Sequence, residues 1–156
     1  LRRLLASDDA IRVTAQAADG QQAVTMLAAM APSDQPDVVL LDLEMPVMDG
    51  LTALPALLRS SPRSAVIVAS ALTHTGAAST MAALRAGASD YVAKPTASQG
   101  GMADPRFQVE LRAKVLGWAR RRARQAMPVA PPASPTTMRI RPRAIVIGCS
   151  TGGPQA

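Results

Sequence analysis

Apolar and polar positions fall into short blocks whose period switches between two and about 3.6 along the chain. Residues 1–7 have the spacing of an amphipathic helix end, and residues 11–17 have the composition of a strand. Asp19-Gly20 turns the chain into a helix that carries Ala23, Leu27 and Met30 on one face. Residues 38–41, Val-Val-Leu-Leu, are an uninterrupted apolar run, as in a strand buried on both faces. Gly50–Ser60 is predicted as a helix that Pro55 should kink or shift. A strand over 65–69 and a helix over about 77–86 follow, the helix closed by Gly87. Residues 91–93 form a short strand, and a Gly100-Gly101 loop leads to a last helix over about 105–125. That helix has Leu111, Val115, Trp118 and Arg122 at helical spacing. The order α-βα-βα-βα-βα is that of a doubly wound α/β sheet with one strand missing at the front. A sheet with that central place open should make the isolated chain poorly soluble or self-associating.

The strand ends carry the candidate chemistry. The first apolar run ends in Asp42, followed by Leu43-Glu44-Met45-Pro46-Val47-Met48-Asp49-Gly50. The strand over 65–69 ends in Ser70, and the strand over 91–93 in Lys94-Pro95. A parallel sheet brings such ends to one rim, where open α/β folds bind their ligands. A carboxylate, a hydroxyl and an ammonium together suit a phosphoryl acceptor. Asp42 would be the nucleophile, Lys94 would neutralise phosphate charge, and Ser70 would hydrogen-bond a phosphate oxygen. Taken alone, Asp42 could equally be a turn aspartate capping the next helix.

Composition narrows the class. The chain has 156 residues, 48% of them hydrophobic but only 2% aromatic, so the core is aliphatic. One cysteine excludes an intrachain disulfide and fits a reducing cytosol. No apolar run reaches membrane-spanning length, and the start lacks the organisation of a signal peptide. The absence of an initiator Met points to a fragment. The net charge of +6 is concentrated in Arg120, Arg121, Arg122, Arg124, Arg139, Arg141 and Arg143. With one Phe, one Tyr and one Trp there is no stacking platform, so these cations read as a solvated helix end that complements its dipole.

Three segments together resemble the receiver domain of two-component response regulators. They are Asp42-Leu43-Glu44-Met45-Pro46 with Asp49-Gly50, then Ser70-Ala71, then Ala86-Gly87-Ala88-Ser89-Asp90-Tyr91-Val92-Ala93-Lys94-Pro95. The resemblance covers roughly residues 1–126 and implies a flavodoxin-like fold. It makes Asp42 the phospho-acceptor, Ser70 the switch hydroxyl, Tyr91 the switch aromatic and Lys94 the signalling lysine. It also implies a cis bond before Pro95. Receivers hold Mg²⁺ with an acidic pair after their first strand. Asp8-Asp9 follows a helix instead and reads as a polar loop, which leaves Asp42 and the Glu44 backbone carbonyl to hold the ion weakly.

Residues 127–142 are proline-rich and aperiodic, an extended linker. A new strand follows at Ala144, and its end reads Gly148-Cys149-Ser150-Thr151-Gly152-Gly153-Pro154. Gly148 to Gly152 matches the nucleophile-elbow pattern G-x-S-x-G, in which flanking glycines permit the turn that exposes a serine oxygen. A glycine-rich phosphate-binding turn is the alternative, although neither the dinucleotide nor the Walker spacing is met. With a receiver, a linker and this motif in order, and with Leu72-Thr73 after Ser70-Ala71, the chain resembles chemotaxis protein-glutamate methylesterases, the CheB family.

That resemblance divides the chain into a receiver (1–126), a linker (127–142) and the first strand of a second α/β domain (143–156). It makes Ser150 the nucleophile of a Ser-His-Asp triad that hydrolyses glutamate methyl esters on chemoreceptors and also deamidates glutamine. The triad's histidine and aspartate would lie further along the parent chain, so this piece should be inactive as an esterase. Cys149 reads as a small buried neighbour, and His74, the only histidine, as a surface residue. The implied partners are a chemotaxis histidine kinase and methylated chemoreceptors, in the cytoplasm, with no nucleic acid and no membrane insertion. The alternative is a non-enzymatic response regulator with another output domain. A transcription factor would need a helix-turn-helix after the linker, where a strand stands.

Overall fold

The computed structural model describes residues 1–71, 73–126 and 143–147. Its strands are β1 (Arg12–Ala17), β2 (Val38–Asp42), β3 (Ala65–Ala71), β4 (Asp90–Lys94) and β5 (Arg143–Ile147). Its helices are α1 (Arg2–Ala6), α2 (Gly20–Ala29), α3 (Gly50–Ser60), α4 (His74–Arg85) and α5 (Pro105–Ala126). The strands form one sheet, ordered β1-β5-β2-β3-β4, with every neighbouring pair parallel.

Two aliphatic layers sandwich the sheet, and strand parity sorts residues between them. Val39 and Leu41 of β2 join Val66 and Val68 of β3 against Ala23, Leu27, Leu54 and Leu57 of α2 and α3. Val38 and Leu40 join Ala65, Ile67, Ala69 and Val92 against Leu5 of α1 and Phe107, Leu111 and Val115 of α5. Side-chain caps start the three helices of the first layer. Asp19 accepts from the Gln22 amide at 2.8 Å, Asp49 from the Thr52 amide at 2.7 Å, and Thr73 from the Gly76 amide at 2.9 Å. Gly87, at φ 108°, follows α4 as expected.

Four expectations change. The central place in the sheet is not open, because β5 lies in it, paired with β1 on one side and β2 on the other. The strand expected at Ala144 does form, in the sheet of the preceding strands. α4 begins at His74 and not near Ala77, because the Thr73 cap draws the intervening residues into the first turn; His74 is exposed. α3 runs from Gly50 through Ser60 with Pro55 inside it, on the exposed side where the lost amide leaves the Leu51 carbonyl to water. Pro95 follows a trans bond, since no cis peptide bond occurs among the described residues. β4 itself carries Lys94 to the rim, and two 3₁₀ turns (Ala97–Gln99 and Gly101–Ala103) take the chain onward without a tight turn. The expected linker 127–142, the pair partner Leu72, Cys149 and Ser150 lie outside the described residues.

Candidate phospho-acceptor site

Asp42 is the last residue of β2 and is 2% exposed. Parity with Val38 and Leu40 aims its side chain to the α1 and α5 face. Lys94, the last residue of β4, has the parity of Val92 and comes to the same face. The two meet directly, with Lys94 Nζ 2.5 Å from Asp42 Oδ2. The other carboxylate oxygen accepts the Glu44 amide at 3.0 Å. A buried carboxylate is tolerated here because a cation and a backbone donor both answer its charge.

Local backbone packing holds Asp42 in place. The Leu43 amide donates to the Ala69 carbonyl at 3.1 Å, and the Gly50 amide returns to the Leu43 carbonyl at 3.1 Å. A Cβ on Gly50 would stand 2.1 Å from the Asp42 carbonyl oxygen, so only glycine lets α3 start against this strand end. Between them, Val47 sits at φ 65° with its side chain 87% exposed, a strained conformation for a β-branched residue.

Ser70 does not meet Asp42. Its parity in β3 is that of Val66 and Val68, and its hydroxyl donates to the Gly76 carbonyl at 2.9 Å in the first turn of α4. Gly76 is as closely packed, a Cβ there standing 2.2 Å from the Ala71 carbonyl oxygen. Tyr91 points outward, 44% exposed, with Lys114 Nζ 5.1 Å from its ring centroid. Asp8 accepts the Ala10 amide at 2.9 Å and lies 4.0 Å from the Arg112 guanidinium.

A cavity of about 920 Å³ opens over Asp42 and Lys94. Arg2, Arg3, Gln16, Glu44 and Thr73 are among its lining residues. α1 supplies the two arginines, and no periodicity or motif marked them in the sequence. Sequence reasoning also missed Asp90, which accepts from Lys114 at 2.8 Å and from the Trp118 indole at 3.1 Å. Burial pushes the Asp90 carboxyl up, but these two hydrogen bonds, the Tyr91 amide and the Lys114 charge together hold it below the usual carboxylate range. The spacing of Asp90, Lys114 and Trp118 across β4 and α5 carries no local signal.

Asp42 and Glu44 are the acids that line the cavity. Among the described residues, no group of three or more His, Cys, Asp or Glu side chains comes together. Mg²⁺ can be held through one or two carboxylates with water and phosphate oxygens completing its shell, so this set would hold it only weakly, both Asp42 oxygens being already engaged by Lys94 and the Glu44 amide. Among the described residues no helix is long and apolar enough to cross a membrane.

The response regulator receiver domain family matches residues 1–103. The chain is 42% identical to a protein-glutamate methylesterase/protein-glutamine glutaminase of Azospirillum brasilense, over all of this chain and 45% of that protein. It spans about half the length of the curated relatives it matches. The response regulator domain of Thermotoga maritima CheB superposes with a TM-score of 0.54 at 35% identity, covering 82% of this chain and 85% of that one. The receiver domain of a sensor histidine kinase from Pseudomonas aeruginosa, with a magnesium ion coordinated in its active site cleft, gives a TM-score of 0.56 at 29% identity. That match covers 75% of this chain and 83% of the other.

Proposed function

The chain belongs to the response regulator receiver domain family, and on that premise we propose that it is the phosphorylation switch of a chemotaxis protein-glutamate methylesterase. The observation that carries this reading is the Asp42–Lys94 pair, closed at 2.5 Å on the strand-end rim of a parallel sheet, beneath an open cavity. The likeness to methylesterases along the whole of this chain favours that output over a non-enzymatic regulator.

In this reading a histidine kinase presents a phosphohistidine to the cavity. An Asp42 oxygen attacks phosphorus as the P–N bond breaks; the new O–P bond makes an acyl phosphate, and the imidazole leaves with the electron pair. Lys94 stays paired to the growing negative charge, and the Glu44 amide keeps the carboxylate oriented. Asp42 and the Glu44 backbone carbonyl would hold Mg²⁺, which would supply charge neutralisation for the phosphate oxygens. Ser70 then exchanges the Gly76 carbonyl for a phosphate oxygen. That exchange pulls on the first turn of α4, while Tyr91 responds on the exposed side of β4.

The remaining assignments are part of the same proposal. Residues 1–126 form the receiver, 127–142 the linker, and 143–156 the start of the methylesterase, with Ser150 its nucleophile. The substrates are glutamate methyl esters of chemoreceptors, and glutamine side chains in the deamidation reaction, in the cytoplasm. The test is labelling of the full-length protein by acetyl phosphate or its kinase with Mg²⁺. Asp42→Asn should abolish it; undiminished labelling would falsify the acceptor assignment.

A further inference from the structure

We infer that Thr80 is a positioning residue for the switch: its hydroxyl shares the Gly76 carbonyl with Ser70 and so sets how readily Ser70 leaves for a phosphoryl group on Asp42. This rests on the acceptor reading above and adds a residue that reading does not contain. Ser70 stands one position past Ala69, the register partner of Asp42, and is 4% exposed. Its hydroxyl has one good acceptor, the Gly76 carbonyl at 2.9 Å; the Ala71 carbonyl, at 3.4 Å, is at the limit of a hydrogen bond. The Thr80 hydroxyl donates to the same Gly76 oxygen at the shorter distance of 2.7 Å. Thr80 is 7% exposed and Gly76 is buried, so water has little access to replace either donor.

Three donors compete for that oxygen. Gly76 and Thr80 lie four apart in α4, where the helical ladder also brings the Thr80 amide to the Gly76 carbonyl. A carbonyl oxygen offers two lone pairs, so a third donor is held less well than either of two would be. Both Thr80 donors belong to the same helical turn as Gly76 and move with it. Ser70 comes from β3 and is the donor free to leave. Its departure strands nothing buried: Gly76 keeps the amide and hydroxyl of Thr80, and Ser70 gains a charged acceptor. Without the Thr80 hydroxyl, Ser70 becomes the second donor of a carbonyl with two sites. The bond it must give up is then stronger, and its exit leaves a buried lone pair unanswered. Close packing keeps the shared oxygen in place, since a Cβ on Gly76 would stand 2.2 Å from the Ala71 carbonyl oxygen and 3.0 Å from Ser70 Oγ.

The experiment is a double-mutant cycle on the full-length protein, read as the apparent affinity for beryllofluoride, a phosphoryl analogue, in Mg²⁺. Ser70→Ala should weaken binding, as the acceptor reading requires. Thr80→Val, which puts a methyl group where the hydroxyl stood, should weaken it about fivefold, the scale of one net hydrogen bond. Thr80→Ser keeps the hydroxyl and should bind as wild type does. Thr80→Ala carries the same prediction as Thr80→Val, should the valine variant fold poorly. In the Ser70→Ala background, Thr80→Val should change the affinity by no more than about twofold, because no hydroxyl is left to release. A threonine that only supports the fold would weaken both backgrounds alike. Equal losses in the two backgrounds, or Thr80→Val and Thr80→Ala proteins that bind as tightly as wild type or tighter, overturn the inference. The two readings fail separately. Binding that survives Asp42→Asn removes the acceptor, and binding untouched by Ser70→Ala removes the switch hydroxyl. A weakened Ser70→Ala beside normal Thr80→Val and Thr80→Ala proteins removes only the role of Thr80.

Discussion

Asp42 and Lys94 are a coupled pair, and removing one partner costs more than the pair contributes. Asp42 is 2% exposed and Lys94 18%, so the ammonium keeps some contact with water. Lys94→Met leaves a buried carboxylate answered only by the Glu44 amide. The loss should be on the order of 2 kcal/mol, below the roughly 3–5 kcal/mol of a fully buried pair. Urea melts of wild type and Lys94→Met check this, and an unchanged midpoint would contradict it. Asp90 gives a prediction with a pH signature. Its carboxyl titrates lower in the folded chain than in the unfolded one, so its contribution is complete above the ordinary carboxylate pKa of about 3.9. That contribution is lost as pH falls through the folded value. Asp90→Asn should therefore be less stable than wild type at pH 7, by up to about 1 kcal/mol for a pair partly open to water. The gap should close as pH falls below about 4. A gap that stays constant into acid would show that Lys114 and Trp118 do not hold the charged form.

The helices and strands were legible wherever a periodic face met a cap residue, and less so where one residue outside the period moved a boundary. Thr73 is the clearest case: its hydroxyl starts α4 three residues earlier than the apolar spacing indicates. The convergence of strand ends was legible too, but its geometry needed one further step. Counting parity from the buried runs puts Asp42 and Lys94 on one face and Ser70 on the other, which is where the structure has them. The place of β5 was not legible, because the pairing partner of a strand lies outside any local pattern. Neither were Arg2 and Arg3, which reach the cavity only through the packing of α1. Pro55 supplies the test at this scale. It sits in the interior of α3 and is exposed. Pro55→Ala returns an amide to the Leu51 carbonyl. It should stabilise the chain by about 2 kcal/mol, the helix gain of about 3 kcal/mol being partly offset by a freer unfolded state. The urea midpoint should rise with the slope unchanged.

With β5 in its central place, the sheet leaves the outer edges of β1 and β4 unpaired among the described residues, as any open sheet does. The larger consequence concerns how two chemistries share one protein. In the proposed function Asp42 is a switch and Ser150 a nucleophile, and a group that controls a reaction differs in its kinetic signature from one that performs it. In the full-length protein, Ser150→Ala should abolish methyl ester hydrolysis and leave labelling of Asp42 at its normal rate. Asp42→Asn should keep basal hydrolysis and lose its stimulation by acetyl phosphate. The reason is that phosphorylation adds charge at Lys94 and draws on Ser70, changes that bias the packing of one domain on another without touching the ester. Methanol release from methylated receptor, measured with and without phosphodonor, separates the two. A Ser150→Ala protein that releases methanol normally would remove the esterase assignment and move the non-enzymatic regulator ahead. An Asp42→Asn protein still stimulated by phosphodonor would instead place the switch elsewhere, and the Asp42–Lys94 pair would then be structural.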